Sequence, residues 1–462
     1  MLRHATGLGL ITGALVGCVR GSVPITSDDT TGDSTEWTDS VVPTETGGQG
    51  ESGDSTESHD TSRTCDLADI TGRNPIRLTN GLDTAVFYHP TDTPLAPDGF
   101  PTVVVLQGSD TAGGVPFTGD PTVDTFGYIQ VVVSYPDDRR GADSRAAIAT
   151  VARYAAGLEA DADGCYLSDR VSVTVSKLPS IIQGQSNGGN TLIATLADNS
   201  LDLPPLSGAV MWEVPIEPEM VTVEMGGKDF PNPFYMVGQC QWPTDGSLTC
   251  PYTYAPRLGW DPTYAGAASL VGAVYFDLDN DGALGDADYP VLGAPTVDGH
   301  RAFSLQLRAL MEEQGLVGPD AISVDDNTAF WAERDGSLLA KTAAANFPDL
   351  PMISIGTETD HGMAIPDHPH VSGVAGAWQD LGEPWVRVNP APSYMTTALG
   401  SGPAWTDNPP NSHTYPGDPA IVMEPEETEL HLNAEVYRSA AVLELIDRTL
   451  SGDWETDDPG AS

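Results

Sequence analysis

A serine flanked by closely spaced glycines could act as a nucleophile in the segment Gly184-Gln185-Ser186-Asn187-Gly188. The apolar run Ile181-Ile182 precedes it, and a helical pattern over 191–197 follows it. At a strand-to-helix junction the glycines allow a tight, strained turn that exposes the serine oxygen, and the next backbone N–H groups can stabilise an oxyanion. The context predicts Ser186 as a nucleophile and the N–H of Asn187 as an oxyanion donor. An ordinary glycine-rich turn is the alternative.

Alternating carboxylates could bind a hard cation in a second segment, 277–288. Counted as a calcium loop, it has carboxylates at positions 1, 3, 5 and 12, Gly at 6 and a backbone carbonyl at 7. These positions are filled by Asp277, Asp279, Asp281, Asp288, Gly282 and Ala283. The loop resembles EF-hand and dockerin-type loops, although it has Asp at position 12 and a β-like lead, Val274-Tyr275-Phe276. We predict a structural Ca²⁺ site, with an acidic surface turn as the alternative.

Around the serine, the chain resembles the α/β-hydrolase family. The segment 101–114 contains an apolar strand that ends in Gln107-Gly108, where the family has His-Gly. A strand led by Gly127-Tyr128, a helix, the G-x-S-x-G turn and a late strand ending in 356–360 then follow. The resemblance implies that Gly108 or Ser109 supplies the second oxyanion N–H.

The same resemblance, which extends over 65–450, implies a catalytic triad in the chain order Ser, acid, His. Asp360 follows the late strand and is the implied acid, with Glu358 as its rival. The base must come after the strand at 385–388, where His413 lies in a Pro- and Asn-rich loop. His431 also follows that strand and is the first alternative, and His370, which precedes the strand, is the second. No organic cofactor is implied.

Apolar β-branched runs alternate with helical patterns, which is typical of βαβ units and a mostly parallel sheet. Strands are predicted at 86–88, 102–106, 128–134, 181–183, 209–212, 352–355 and 385–388, and helices at 144–156, 191–197 and 434–450. The connection between Trp212 and Met352 is far longer than a crossover requires. We therefore predict an α/β-hydrolase fold at 65–450, a mostly parallel sheet with flanking helices. A large insertion at about 213–350 precedes the acid-bearing strand.

The N-terminus has the features of an exported bacterial lipoprotein. A basic start and a short apolar stretch over 1–17 are typical of a signal peptide, and Leu15-Val16-Gly17-Cys18 resembles a lipobox with Cys18 as the lipidated residue. An ordinary secretory signal is the alternative. The Ser-, Thr-, Gly- and acid-rich stretch 18–64 is predicted to be a disordered tether, and 451–462 a flexible tail. The resemblance to enterobacterial lipoproteins implies that Val19, in place of Asp, directs the protein to the outer membrane or cell surface.

The remaining four cysteines suit an exported chain, since an even number favours disulfides over metal-bound or catalytic thiols. Cys240 and Cys250 flank a short segment with Pro243 and Asp245-Gly246 that can turn the chain, so we expect this local pair. Cys65 with Cys165 then follows by elimination among three possible pairings.

With 66 acidic and 20 basic side chains, the formal charge is -46. Such a surface excludes nucleic acid as a partner, because phosphate binding requires positive charge. We expect a surface-tethered serine hydrolase that cleaves a small-molecule or polymeric carboxylic ester, with contact to the membrane through its lipid anchor alone. A peptidase or another acyl hydrolase is the nearest alternative. A calcium-stabilised binding lipoprotein with a hydrolase-like fold, but without catalysis, is the alternative outside the enzymes.

Overall fold

A computed structural model describes residues 64–68, 75–107, 127–134, 141–212, 214, 216, 257–265, 271–291, 294–295, 301–316, 323–355, 374–378, 385–391, 393–394, 430–456 and 458. The chain from Cys65 onward forms one compact unit. In these ranges no helix is both long enough and apolar enough to span a bilayer.

The strands of the described ranges are Ile76–Arg77 (β1), Asp83–Phe87 (β2), Phe100–Leu106 (β3), Ile129–Val133 (β4), Val175–Gln185 (β5), Gly208–Trp212 (β6), Leu258–Ala265 (β7), Val271–Phe276 (β8), Tyr289–Val291 (β9), Ala294–Pro295 (β10), Arg301–Ala302 (β11), Met352–Ile355 (β12) and Val386–Val388 (β13). The main sheet has the order β1-β2-β4-β3-β5-β6-β12-β13. Strand β2 runs antiparallel to its neighbours, and all pairs from β4 to β13 are parallel. Its inner strands are almost wholly buried, which explains their continuous apolar runs.

The helices that the structure describes include Ala142–Ala155 (α1), Leu167–Arg170 (α2), Asn187–Ala197 (α3), Leu305–Glu313 (α4), Val324–Arg334 (α5), Gly336–Asn346 (α6) and Leu430–Ser451 (α7). Apolar side chains of α1, α3 and α6 pack in one core on one face of the sheet. A second core on the opposite face contains Ala440, Leu443, Leu445 and Ile446 of α7. A mostly parallel sheet covered on both faces by helices is the predicted α/β-hydrolase fold, and this fold class is confirmed.

The region between β6 and β12 has a small core of its own. Strands β7, β8 and β9 form an antiparallel sheet, and its apolar residues pack with those of α4. Helix α6 does not belong to this smaller core, because its Ala340, Ala343 and Ala344 pack in the main core beside α3. The long connection is therefore not wholly an insertion, since its last helix is a layer of the main fold.

A disulfide and an arginine fix the N-terminal end of the folded body. Cys65 is bonded to Cys165, with Cα atoms 6.1 Å apart. The Arg170 guanidinium donates to the carboxylate of Asp161 over 2.7 Å and to the carbonyl of Asp66 over 3.1 Å. The segment that enters the body is thus held both covalently and by charge-assisted hydrogen bonds. The second expected pair, Cys240 and Cys250, lies outside the described residues.

A buried carboxylate holds the chain after β13 against α7. Glu444 accepts hydrogen bonds from Arg448 Nε over 2.8 Å and from the N–H of Ala391 over 2.7 Å. Arg387 Nη1 lies 3.5 Å from the same carboxylate, and the side chains of all three charged residues are fully buried. Two buried guanidinium groups therefore share the carboxylate of Glu444 inside the protein.

We expect Glu444→Ala to lower the free energy of unfolding by about 3–5 kcal/mol, because it removes the carboxylate that two buried guanidinium groups share. Denaturant unfolding measures the change. Glu313→Ala is the matched control, since Glu313 is exposed on α4 and its loss should change stability by no more than about 0.5 kcal/mol. Equal stability of the two variants would contradict this role of Glu444.

Candidate active site

Ser186 lies at a strained turn between β5 and α3. Its backbone has φ 48° and ψ -127°, a conformation that residues other than glycine rarely adopt. The Ser186 N–H donates to the carbonyl of Trp212 over 2.9 Å, and the Ser186 carbonyl accepts from the N–H of Gly189 over 2.9 Å. The hydroxyl makes no capping hydrogen bond to α3, and the residue is only half-buried. The turn thus presents an accessible hydroxyl at a position where neighbouring strands and helix maintain the strain.

Three glycines allow this turn to exist. A Cβ on Gly184 would come within 3.0 Å of the Gly189 backbone, a separation that real Cβ atoms essentially never show. A Cβ on Gly188 would come equally close to the carbonyl oxygens of Leu106 and Gln107. A Cβ on Gly189 would meet Val214. Helix α3 therefore packs with its backbone directly against the ends of β5 and β3, and this contact fixes the direction of Ser186.

The register of the parallel strands brings their carboxyl ends to one edge of the sheet. Gln185 pairs with Trp212, and Trp212 pairs with Ile355. Ser186 therefore leaves the sheet at the level where β12 ends. Asp360 and Glu358, which follow β12 in sequence, lie outside the described residues. At this edge parallel α/β sheets commonly bind their ligands.

The end of β3 lies at the N-terminus of α3. Leu106 pairs with Gly184, and the carbonyl of Gln107 lies against Gly188. Asn187 is the first residue of α3, so its N–H belongs to the positive end of the helix dipole. The predicted donors Gly108 and Ser109 lie outside the described residues, directly after this contact.

Helix α7 runs toward the same edge with its N-terminal end. The Thr449 hydroxyl lies 3.5 Å from the carbonyl of Ser207, at the start of β6. The Arg438 guanidinium lies 5.5 Å from the ring centroid of Trp212, at the end of β6. The first turn of α7, which contains His431, is therefore the end of the helix nearest the carboxyl edge. The His431 side chain, His413 and His370 lie outside the described structure.

The predicted calcium loop brings its four carboxylates together. One oxygen from each of Asp277, Asp279, Asp281 and Asp288 lies within 4.8 Å of the others. Asp277 is fully buried, and its Oδ1 has no hydrogen-bond partner among the described residues. A buried carboxylate oxygen without a donor is unfavourable unless a cation neutralises it. The donor set thus fits a hard divalent cation.

Backbone N–H groups and two left-handed residues shape this loop. Asp279 Oδ1 accepts from the N–H of Asp281 over 3.2 Å, and Asp281 Oδ1 accepts from the N–H of Ala283 over 2.8 Å. Asn280 and Gly282 have φ 59° and 81°. Burial, followed by the charges of Asp277 and Asp288, raises the pKa of the nearby Tyr275 phenol. The negative potential of the loop therefore extends to its neighbours.

Arg257 lies beside this loop, and no motif in the sequence predicted it there. Its Nε is 3.1 Å from Asp277 Oδ2. The two residues are distant in the chain, and only the pairing of β7 with β8 brings them together. The sequence motif also did not include Gly189 as a packing residue of the turn, although Gly189 directly follows Gly188.

No family model and no curated protein matches this chain. Among solved structures, it is similar to a thermostable esterase from Pseudomonas putida, with 10% identity, a TM-score of 0.36 and coverage of 82% of this chain and 85% of that one. It is also similar to carboxyl esterase 2 from Tuber melanosporum, with 10% identity, a TM-score of 0.33 and coverage of 70% and 78%.

A third similar structure is prolyl oligopeptidase B from Galerina marginata, with 9% identity and a TM-score of 0.34. The match covers 82% of this chain but only 36% of that much longer one. These similarities are too low to assign an activity.

Proposed function

We propose that this protein is a serine hydrolase that cleaves carboxylic esters. The observation that carries the proposal is the strained backbone of Ser186, held between β5 and α3 by glycine contacts. Strain in a residue other than glycine persists only where the surrounding structure enforces it, and such residues concentrate at functional sites. A half-buried hydroxyl beside a helix N-terminus has the position that a nucleophile requires.

In the proposed reaction, Ser186 Oγ attacks the ester carbonyl while a histidine accepts its proton. The N–H of Asn187 and an N–H of the Gly108 to Ser109 segment stabilise the negative charge that develops on the carbonyl oxygen. The histidine then protonates the departing alkoxide, and water releases the acyl group from Ser186. Asp360 orients the histidine, for which we propose His413.

The same attack on an amide would make the protein a peptidase, because the triad does not select its acyl group. A hydrolase-like binding protein without turnover is the other alternative. We propose further that the protein is exported and lipid-anchored at Cys18 in the cell envelope. The disulfide between Cys65 and Cys165 supports export, since such bonds persist mainly in oxidising compartments.

A fluorophosphonate probe should label the wild-type protein, because it reacts with an activated serine as an ester substrate does. Ser186→Ala should abolish both the labelling and the turnover of a short p-nitrophenyl ester. Ser200→Ala is the matched control. Ser200 is exposed, and its hydroxyl donates to Asp198 and not to any residue of the turn at Ser186. Mass spectrometry of the labelled peptide identifies the residue. Undiminished labelling of Ser186→Ala would refute the assignment.

His413→Ala should reduce kcat by about two to four orders of magnitude without a change in melting temperature, because the base acts in the transition state and not in folding. His431→Ala and His370→Ala, assayed on the same ester, should remain near wild-type activity. Near-full activity of His413→Ala would transfer the role to whichever histidine variant is inactive. If the wild type neither hydrolyses the ester nor reacts with the fluorophosphonate probe, the result favours the binding protein without turnover.

A second proposal is that the loop 277–288 binds a structural Ca²⁺. The main support for this proposal is the buried Oδ1 of Asp277, which has no hydrogen-bond partner among the described residues and lies beside three further carboxylates. The residues that would hold the ion are Asp277, Asp279, Asp281 and Asp288, with the carbonyl of Ala283. Because the loop connects β8 to β9, which contribute to the smaller core, the ion would stabilise that part of the protein.

Calcium should raise the melting temperature, and a chelator should lower it, because a ligand that binds only the native state stabilises that state. At a concentration of 100 times Kd, the gain is about 2.7 kcal/mol. Asp279→Asn should lose most of this response. Asp286→Asn is the matched control, since Asp286 is an exposed carboxylate of the same loop outside the cluster. Identical melting curves with calcium and with chelator would contradict the proposal.

A further inference from the structure

The antiparallel register of β7 and β8 fixes Arg257 opposite the first carboxylate of the calcium loop. Leu258 pairs with Phe276, so the residues next to them, Arg257 and Asp277, face each other across the two strands. The N–H of Asp277 donates to the carbonyl of Arg257 over 3.1 Å. The position of this arginine is therefore determined by the sheet and not by the loop itself.

The guanidinium of Arg257 contacts the loop through three of its atoms. Its Nε is 3.1 Å from Asp277 Oδ2, and its Nη1 donates to the carbonyl of Asn280 over 3.2 Å. Its Nη2 lies so close to Gly282 that a Cβ there would be 2.9 Å away. Asp277 Oδ1, by contrast, has no donor in the described structure. The arginine thus occupies one oxygen of the buried carboxylate and leaves the other one open.

We infer that Arg257 is the resident counter-ion of this loop: it stabilises the loop without metal and lowers its affinity for a divalent cation. This inference rests on the calcium proposal and concerns the regulation of the same site. Four carboxylates within 4.8 Å repel one another strongly when no cation is present. The guanidinium offsets one of these charges permanently, because it bonds Oδ2 and does not need to leave when a cation binds Oδ1.

Arg257 affects the calcium affinity in two opposite ways. The larger of the two effects decides whether the arginine raises or lowers this affinity. In water at low ionic strength, a unit charge and a divalent ion separated by roughly 6 Å repel enough to reduce affinity about tenfold. Ordering of the loop by Arg257 would increase affinity. The loop, however, has its own hydrogen bonds: Asp277 Oδ2 accepts from the N–H of Gly282 over 3.2 Å, and Asp288 accepts from two further N–H groups over 2.8 and 2.7 Å.

The repulsion between Arg257 and the calcium ion therefore dominates. The arginine lowers the calcium affinity of the loop, so that the loop fills only at a higher calcium concentration. Sites of extracellular modules bind calcium with dissociation constants of about 10⁻⁴–10⁻³ M, and they reach this range through their net ligand charge and rigidity. A basic residue beside the loop lowers the calcium affinity toward this range. Such a site would be occupied outside a cell and empty inside it, so that the smaller core gains its full stability only after export.

Calorimetric titration of the purified full chain with Ca²⁺ tests this inference. Arg257→Gln should bind calcium about tenfold more tightly than the wild type, whereas Arg257→Lys, which retains the charge, should bind as the wild type does. Arg77→Gln is the matched control. Arg77 is an exposed arginine that pairs with Asp83 over 2.7 Å on β1 and β2, so its loss reports the effect of overall charge alone.

Thermal unfolding gives a second measurement, and its metal-free comparison does not depend on calcium affinity. Without metal, Arg257→Gln should melt below the wild type, and calcium should reduce this difference, because the ion then offsets the charge that the arginine offset before. Equal or weaker calcium binding by Arg257→Gln, or equal effects of the Gln and Lys substitutions, would overturn the inference while the site itself stands. Absence of calcium binding in the wild type and in every variant would overturn both.

Discussion

The contact between the first turn of α3 and the ends of two strands is the constraint on which the rest of the candidate active site depends. Gly184, Gly188 and Gly189 bring the backbone of the helix against β5, β3 and Val214, closer than any side chain would allow. Ser186 connects the strand to this closely packed helix and must therefore adopt its left-handed conformation. One packing contact thus accounts for the strain at Ser186, for its accessibility and for its proximity to the end of β3.

The parallel sheet extends this constraint to other parts of the chain. Since β3, β5, β6 and β12 are parallel and paired in register, the segments that follow them leave the sheet at one edge. Helix α7 packs on the face of the sheet opposite to α3, and its N-terminal end lies toward the same edge. Strand ends and a helix end from distant parts of the chain therefore lie along one edge of the sheet, which local structure alone would not achieve.

Positive charge is scarce in this chain, with 20 basic against 66 acidic side chains, and several arginines join separate segments. Arg170 connects the entering segment at Asp66 to the loop of Asp161, and Arg387 and Arg448 converge on Glu444. Arg257 connects β7 to the acidic loop. In an acidic protein a buried guanidinium finds a carboxylate readily, and its several donors can bond a backbone carbonyl at the same time.

The sequence by itself determined the features that depend on local spacing. The G-x-S-x-G pattern between an apolar run and a helix predicted the turn at Ser186, the alternation of apolar runs predicted the fold class, and the aspartate spacing predicted the cluster that Asp277 begins. Asp360 and His413 remain predictions. Only the tertiary structure decided that Gln107 lies against Gly188, that α6 is a layer of the main fold and that Arg257 faces Asp277. These relations join residues far apart in the chain through strand register and helix packing, and neither leaves a periodic pattern in the sequence.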